Sequence, residues 1–114
     1  MADNVVYLNF DEGVKRVMNN AKLYVRLLTK FKDGTKLDNL EAALEAGDLE
    51  KAQTEAHTIK GVAANLSLTE LFNQSLELET QIKAGAVQSG QMETIKTVFN
   101  TTILEVEKVI AENG

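Results

Sequence analysis

The 114-residue chain has no cysteine and no proline, and it carries a single histidine. Without cysteine there can be no disulfide and no thiolate metal site. One histidine cannot anchor zinc, which needs three or four protein ligands. Without proline nothing forbids long uninterrupted helices. No basic run stands out: 12 Lys+Arg against 17 Asp+Glu gives a net charge of −5, which argues against a nucleic-acid or anionic-membrane surface. No apolar run is long enough to span a bilayer. The start, Met1-Ala2-Asp3-Asn4, lacks the basic region and apolar core of a signal peptide. No glycine-rich phosphate loop is present, so the chain is not expected to bind ATP or to be an enzyme acting through its own nucleotide site. No serine sits at a strand-to-helix elbow. What remains, with 44% hydrophobic and 25% charged residues, is a soluble cytoplasmic domain, long enough for one modest core.

The apolar pattern is helical almost throughout. Val5-Val6-Tyr7-Leu8 finds no later strand to pair with and is expected to be a lead-in segment packed on the helices. Asp11 can cap a short helix from 11 to about 18, with Val14, Val17 and Met18 on one face. Asn19-Asn20 interrupts it, and Leu23, Leu27, Leu28 and Phe31 mark a helix over about 21–32. After Asp33-Gly34 the pattern resumes at Leu37, Leu40 and Leu44, so either one helix bends at Gly34 or two shorter ones meet there. Glycines otherwise fall mostly where helices could stop. Gly47-Asp48 reads as a glycine C-cap followed by an aspartate N-cap.

The next helix, about 48–66, has a stripe of Leu49, Ala52, Ala56, Ile59, Ala63 and Leu66 at alternating three- and four-residue spacing. Thr69-Glu70 opens a helix running to Lys83 or Ala84 and ending at Gly85. The last helix, about 91–112, carries Ile95, Val98, Phe99, Ile103, Val106, Val109 and Ile110. Short connections between such helices favour antiparallel neighbours. The expected fold is all-α: a single domain over residues 1–114, an up-down antiparallel four-helix bundle with a short additional N-terminal helix.

On the 48–66 helix His57 falls about 130° from the centre of the apolar stripe, at about 100° per residue, and should be exposed. Gln53, Lys60, Gly61 and Ala64 surround it on the wheel. Helical side chains lean toward the N-terminus, so position 61 would cover the ring; it has no side chain. Ala64 is also small, and Lys60 can lean its ammonium toward the imidazole. Such a ring is open on one side and nucleophilic when neutral, and a nearby ammonium would stabilise an anion placed on it.

The 69–84 helix adds a carboxylate. Its apolar sector of Leu71, Phe72, Leu78 and Ile82 contains Ser75 and Glu79, and carboxylates are rarely buried without a partner. If that helix packs beside the histidine helix, Glu79 could accept a hydrogen bond from Nδ1–H, fixing the tautomer and leaving Nε2 as the nucleophile. Each feature also has an ordinary explanation. Lone surface histidines are common, Lys60 could be surface decoration, and Glu79 could pair with Lys83 one turn on.

The stretch Ala56-His57-Thr58-Ile59-Lys60-Gly61-Val62-Ala63-Ala64-Asn65-Leu66 resembles the signature of histidine-containing phosphotransfer (HPt) domains, A-H-x-[LI]-K-G followed by small residues and an N-L pair. The resemblance extends to Ala42–Asp48, to Phe10–Val14, to Leu23–Phe31 and to Leu76–Glu79, covering about residues 10–84; the last helix matches only in its apolar pattern. Two departures are Ser67, where many members have glycine, and the interruption at Asp33-Gly34.

The resemblance implies a phosphorelay carrier. His57 would take a phosphoryl group from a phospho-aspartate on the receiver domain of a hybrid histidine kinase, or from a kinase itself, and pass it to an aspartate of a response regulator. Lys60 would stabilise the phosphoryl charge, and Gly61 would leave room for the partner. Glu79 would orient the imidazole, and Gln53 and Ala64 would touch the receiver. Mg²⁺ would belong to the receiver, with no cofactor on this chain, which is expected to be a monomer. Alternatives are a helical interaction module that carries no phosphate and a phosphoacceptor fragment of a larger histidine kinase. Dimerisation regions of such kinases typically follow their histidine with an acidic residue and a proline. Here Thr58 follows and proline is absent.

Overall fold

In the computed structural model, which describes residues 6–113, the chain forms six helices and no strand among the described residues. They are α1 (Phe10–Arg16), α2 (Ala21–Phe31), α3 (Thr35–Glu45), α4 (Leu49–Asn65), α5 (Thr69–Lys83) and α6 (Gln91–Asn113). The N-terminal Met1–Asn4 and Val5 of the lead-in segment lie outside the described residues. α4 packs against α3 on one flank and α5 on the other, and α6 packs against α5 and α2. Each long helix therefore has two neighbours, which puts its apolar stripe between them.

The helix ends follow local chemistry. Gly47 adopts φ +73°, a left-handed conformation that costs a residue with a Cβ but not glycine. The Asp48 carboxylate then accepts from the backbone N–H of Lys51 at 3.1 Å and starts α4. α1 departs from the sequence expectation: it is capped by Asn9, whose side chain accepts from Glu12 N–H at 3.1 Å, so Asp11 lies in the first turn instead of at the cap. The helix ends at Arg16 because Met18 and Asn19 turn left-handed, with φ 60° and 62°. Met18 is 89% exposed, not on an apolar face. Asn20 caps α2 by accepting from Leu23 N–H. Two helices, not one bent helix, meet at Gly34, where Asp33 accepts from both the backbone N–H and the hydroxyl of Thr35.

The core draws Tyr24, Leu28 and Phe31 from α2, Leu37, Leu40 and Ala43 from α3, and Ile95, Val98, Phe99 and Val106 from α6. α4 contributes Ala52, Ala56, Ile59 and Ala63; Leu49, expected in that stripe, is the first residue of the helix and 39% exposed. Three alanines on the buried face let partner helices approach closely, since interaxial distance is set by the side chains at the contact. α5 answers with Leu71, Ser75, Leu78 and Ile82.

Tyr24 ties α2 to the end of α4. Its hydroxyl donates to the Leu66 carbonyl at 2.6 Å, and its ring meets Phe10 edge-on at 5.8 Å between centroids. Gly13 lies inside α1, not at a helix stop: a Cβ there would come within 2.3 Å of the Tyr24 ring. Burial, with the Glu12 carboxylate adding to it, pushes the Tyr24 phenol up to about 12.

The lead-in segment threads against the α4–α5 turn. Glu70 N–H donates to Val6 O and Asn9 N–H to Ser67 O, each at 3.0 Å, while Tyr7 and Leu8 pack partly buried on the core. Ser67 itself takes φ +57°, the conformation that glycine would adopt without strain. Its hydroxyl accepts from Arg16 Nε at 3.2 Å, so contacts from α1 and the lead-in hold the turn.

Candidate functional site

His57 sits at the ninth position of α4, on the face away from the three buried alanines, with 67% of its side chain exposed. Because α4 and α5 pack closely through small residues, Glu79 on α5 reaches across to it. The Glu79 Oε2 lies 3.1 Å from Nδ1 of the imidazole. The carboxylate is 4% exposed, and a buried carboxylate is stable only when compensated. Here three groups compensate it.

The first is the imidazole. The second is Lys60, whose Nζ lies 2.7 Å from Oε1. By distance this is a close ion pair, although its angles fall outside those of an aligned hydrogen bond. The third is Lys83, one turn further along α5, with Nζ 3.5 Å from Oε2. Burial is the largest single influence on Glu79 and pushes its carboxyl up, but Lys60, His57 and Lys83 together outweigh it. The net result is a carboxyl held below the usual carboxylate range.

The sequence suggested that the Lys60 ammonium would lean toward the imidazole; it lies instead on the carboxylate. The reason is electrostatic: a buried anion draws the nearest cation more strongly than a ring does. The pairing of Glu79 with Lys83, considered as an alternative to the histidine contact, coexists with it, because a carboxylate offers about four lone-pair sites.

Gly61 is exposed, and a Cβ built on it would meet nothing within 4 Å. The fold therefore does not need a glycine there, and the gap faces outward. Ala64 and Gln53 are half-buried on the same helix, one to two turns from the ring. With Nδ1 engaged by the carboxylate, the neutral ring carries its proton on Nδ1 and keeps a lone pair on Nε2. Lys83 is the residue that the sequence did not mark as part of the site. Its i+4 spacing from Glu79 was the available signal.

On the other flank of α4 an apolar groove of about 580 Å³ lies between α2, α3, α4 and α6. Leu27, Phe31, Ile59, Val62, Leu66 and Phe99 form its walls. It does not include His57 or Glu79. Among the described residues no helix is long and apolar enough to cross a membrane.

The family model of the Hpt domain matches residues 27–110, and the chain belongs to that family. Its domains serve phosphotransfer in two-component signalling and are carriers without an ATP site of their own. Among solved structures the chain is similar to the HPT domain from an Hpt sensor hybrid histidine kinase of Shewanella. The TM-score is 0.81 over 93% of this chain and 95% of that one, with 14% sequence identity. At that identity the likeness concerns the helical fold. A search of curated proteins finds no match.

Proposed function

We propose that this chain is a cytoplasmic, monomeric phosphoryl carrier in which His57 accepts phosphoryl from an aspartyl phosphate on the receiver domain of a hybrid histidine kinase. It then donates the group to an aspartate of a response regulator. The observation that carries this reading is the pairing of an exposed, solitary imidazole, through Nδ1, with a buried carboxylate. The whole chain, 1–114, acts as one domain on an up-down four-helix framework with α1 appended, the interrupted α2–α3 pair serving as one member.

In the accepting step the Nε2 lone pair attacks phosphorus. The N–P bond forms as the bond between phosphorus and the aspartyl oxygen breaks, and the carboxylate leaves with the bonding electrons. Nδ1 keeps its proton, so the ring gains a positive charge that Glu79 faces at 3.1 Å. Donation runs through the same bonds in reverse, so the acceptor aspartate takes the place of the leaving one. Electrostatic stabilisation of this kind is strongest where the charges are held in advance.

Lys60, one turn after His57, supplies a cation to the phosphoryl oxygens. Gly61 leaves space for the receiver's active-site loops, and Gln53 and Ala64 form part of the surface that the receiver touches. The family supports a carrier without its own ATP site, and Mg²⁺ would be held by the receiver.

The test is incubation with an isolated receiver domain phosphorylated by a small-molecule acyl phosphate. The expected product is a phosphoprotein labile in acid and stable in base, absent in His57→Gln. Undiminished transfer to His57→Gln overturns the proposal.

A further inference from the structure

Lys60 is seated on the Glu79 carboxylate at 2.7 Å. The two ring nitrogens of His57 point to opposite sides of the imidazole. A phosphoryl group on Nε2 and the carboxylate at Nδ1 therefore stand at opposite ends of the ring, and one ammonium serves one or the other. When Lys60 moves to the phosphoryl group, Glu79 stays behind, 4% exposed and charged. An uncompensated buried carboxylate is costly, and it would pull Lys60 back.

We infer that Lys83 is the reserve counter-ion of this site: it keeps Glu79 compensated while Lys60 leaves to hold the phosphoryl group. This rests on the proposed role of His57. Lys83 is suited to it in three respects. Its Nζ lies 3.5 Å from Oε2, close enough to tighten without rearrangement of the helix. It sits at i+4 on the same helix as Glu79, so the pairing does not depend on the motion of α4. Its side chain is 57% exposed, so it is not needed to fill the core. In the unphosphorylated chain Lys60 and Lys83 share the carboxylate. In the phosphorylated chain Lys83 holds it, together with the Nδ1–H. Lys83 acts through its pairing with Glu79, as a positioning residue.

The consequence is a thermodynamic coupling between Lys60 and Lys83 that appears only in the phosphorylated state. The transfer equilibrium between this chain and a receiver domain phosphorylated by a small-molecule acyl phosphate reads it directly. Lys83→Gln should shift that equilibrium toward the receiver by about threefold, the size expected for a half-exposed ion pair. Lys83→Arg should restore it. In a Lys60→Gln background no lysine has to leave Glu79, so adding Lys83→Gln should not move the equilibrium further. A merely structural role for Lys83 would give the same shift in both backgrounds, and that result, or an unmoved equilibrium in Lys83→Gln alone, overturns the inference. Failure of the unaltered chain to take phosphoryl would instead overturn the proposed function itself.

Discussion

Glu79 on α5 holds its Oε2 3.1 Å from Nδ1 of His57 on α4, while its carboxylate is only 4% exposed. A buried acid thus meets an exposed base across the interface of two helices, and that contact organises the charges around it. Replacing Glu79 by Gln keeps an oxygen that can accept from Nδ1–H but removes the charge that pairs with Lys60 and Lys83. The expected cost at pH 7 is about 1–3 kcal/mol. Because the folded-state carboxyl is depressed, its contribution is present above the ordinary value of 4.5 and is lost as pH falls through the lower folded value. Denaturant unfolding should accordingly show the wild-type advantage over Glu79→Gln shrinking as the pH falls below 4.5. A constant gap from pH 7 down into strongly acid solution would show that the charge is not the source.

Gly61 separates stability from function. It lies inside α4, and a Cβ there would meet nothing within 4 Å. Gly61→Ala should therefore stabilise the fold by about 1 kcal/mol, the difference in helix propensity. Gly61→Gln should also be tolerated by the fold, yet slow transfer from a phosphorylated receiver by obstructing its approach to His57. Thermal unfolding and transfer rates measured on the same samples check both halves. Unslowed transfer in Gly61→Gln would leave the access role without support.

Tyr24 gives an alkaline signature. Its phenol is pushed from 10.0 to about 12 by burial, reinforced by Glu12. A neutral phenol is what the fold stabilises, so this contribution is intact below about pH 10 and is lost as pH rises through about 12. Tyr24→Phe removes the donor to Leu66 O and should cost about 1 kcal/mol at neutral pH. The variant should also lose less stability than wild type between pH 10 and 12, as followed by circular dichroism. Parallel alkaline unfolding curves would contradict the assignment.

Ser75 is fully buried, and its hydroxyl has no hydrogen-bond partner among the described residues. Removing an unsatisfied buried hydroxyl is neutral or favourable, and alanine is the better helix former. Ser75→Ala should raise the unfolding free energy by about 1 kcal/mol in urea. A loss of similar size would mean that the hydroxyl is engaged.

Much of α4 was legible because its buried face repeats small and aliphatic residues, and because the capping chemistry at its start is local: Gly47 has no Cβ to oppose a left-handed turn, and Asp48 has a carboxylate that accepts from Lys51 N–H. The position of Glu79 in an apolar sector was legible for the same reason: periodicity reports burial. Other features depend on distances that a linear pattern does not contain. Asn9 and Asp11 are both competent caps, and only the path of the lead-in segment, tied at Val6 and Asn9 to the α4–α5 turn, selects the first. Gly13 makes sense only beside Tyr24, eleven positions later and on another helix. Lys60 could have leaned toward the ring or the carboxylate. The close packing of α4 on α5 brings the carboxylate within its reach, and burial makes that anion the stronger attractor. Ser67 takes a left-handed turn conformation, and backbone and side-chain contacts from the N-terminal segment hold it there.

The central claim is that His57 carries phosphoryl on Nε2 while Nδ1 keeps its proton toward Glu79. Nitrogen and phosphorus NMR of the ¹⁵N-labelled chain, phosphorylated by a receiver domain, tests it most directly. The expected spectrum has a phosphorus-coupled Nε2 and a protonated Nδ1 at residue 57. A phosphorus-coupled Nδ1, or phosphate found on any other residue with His57 unmodified, would contradict it.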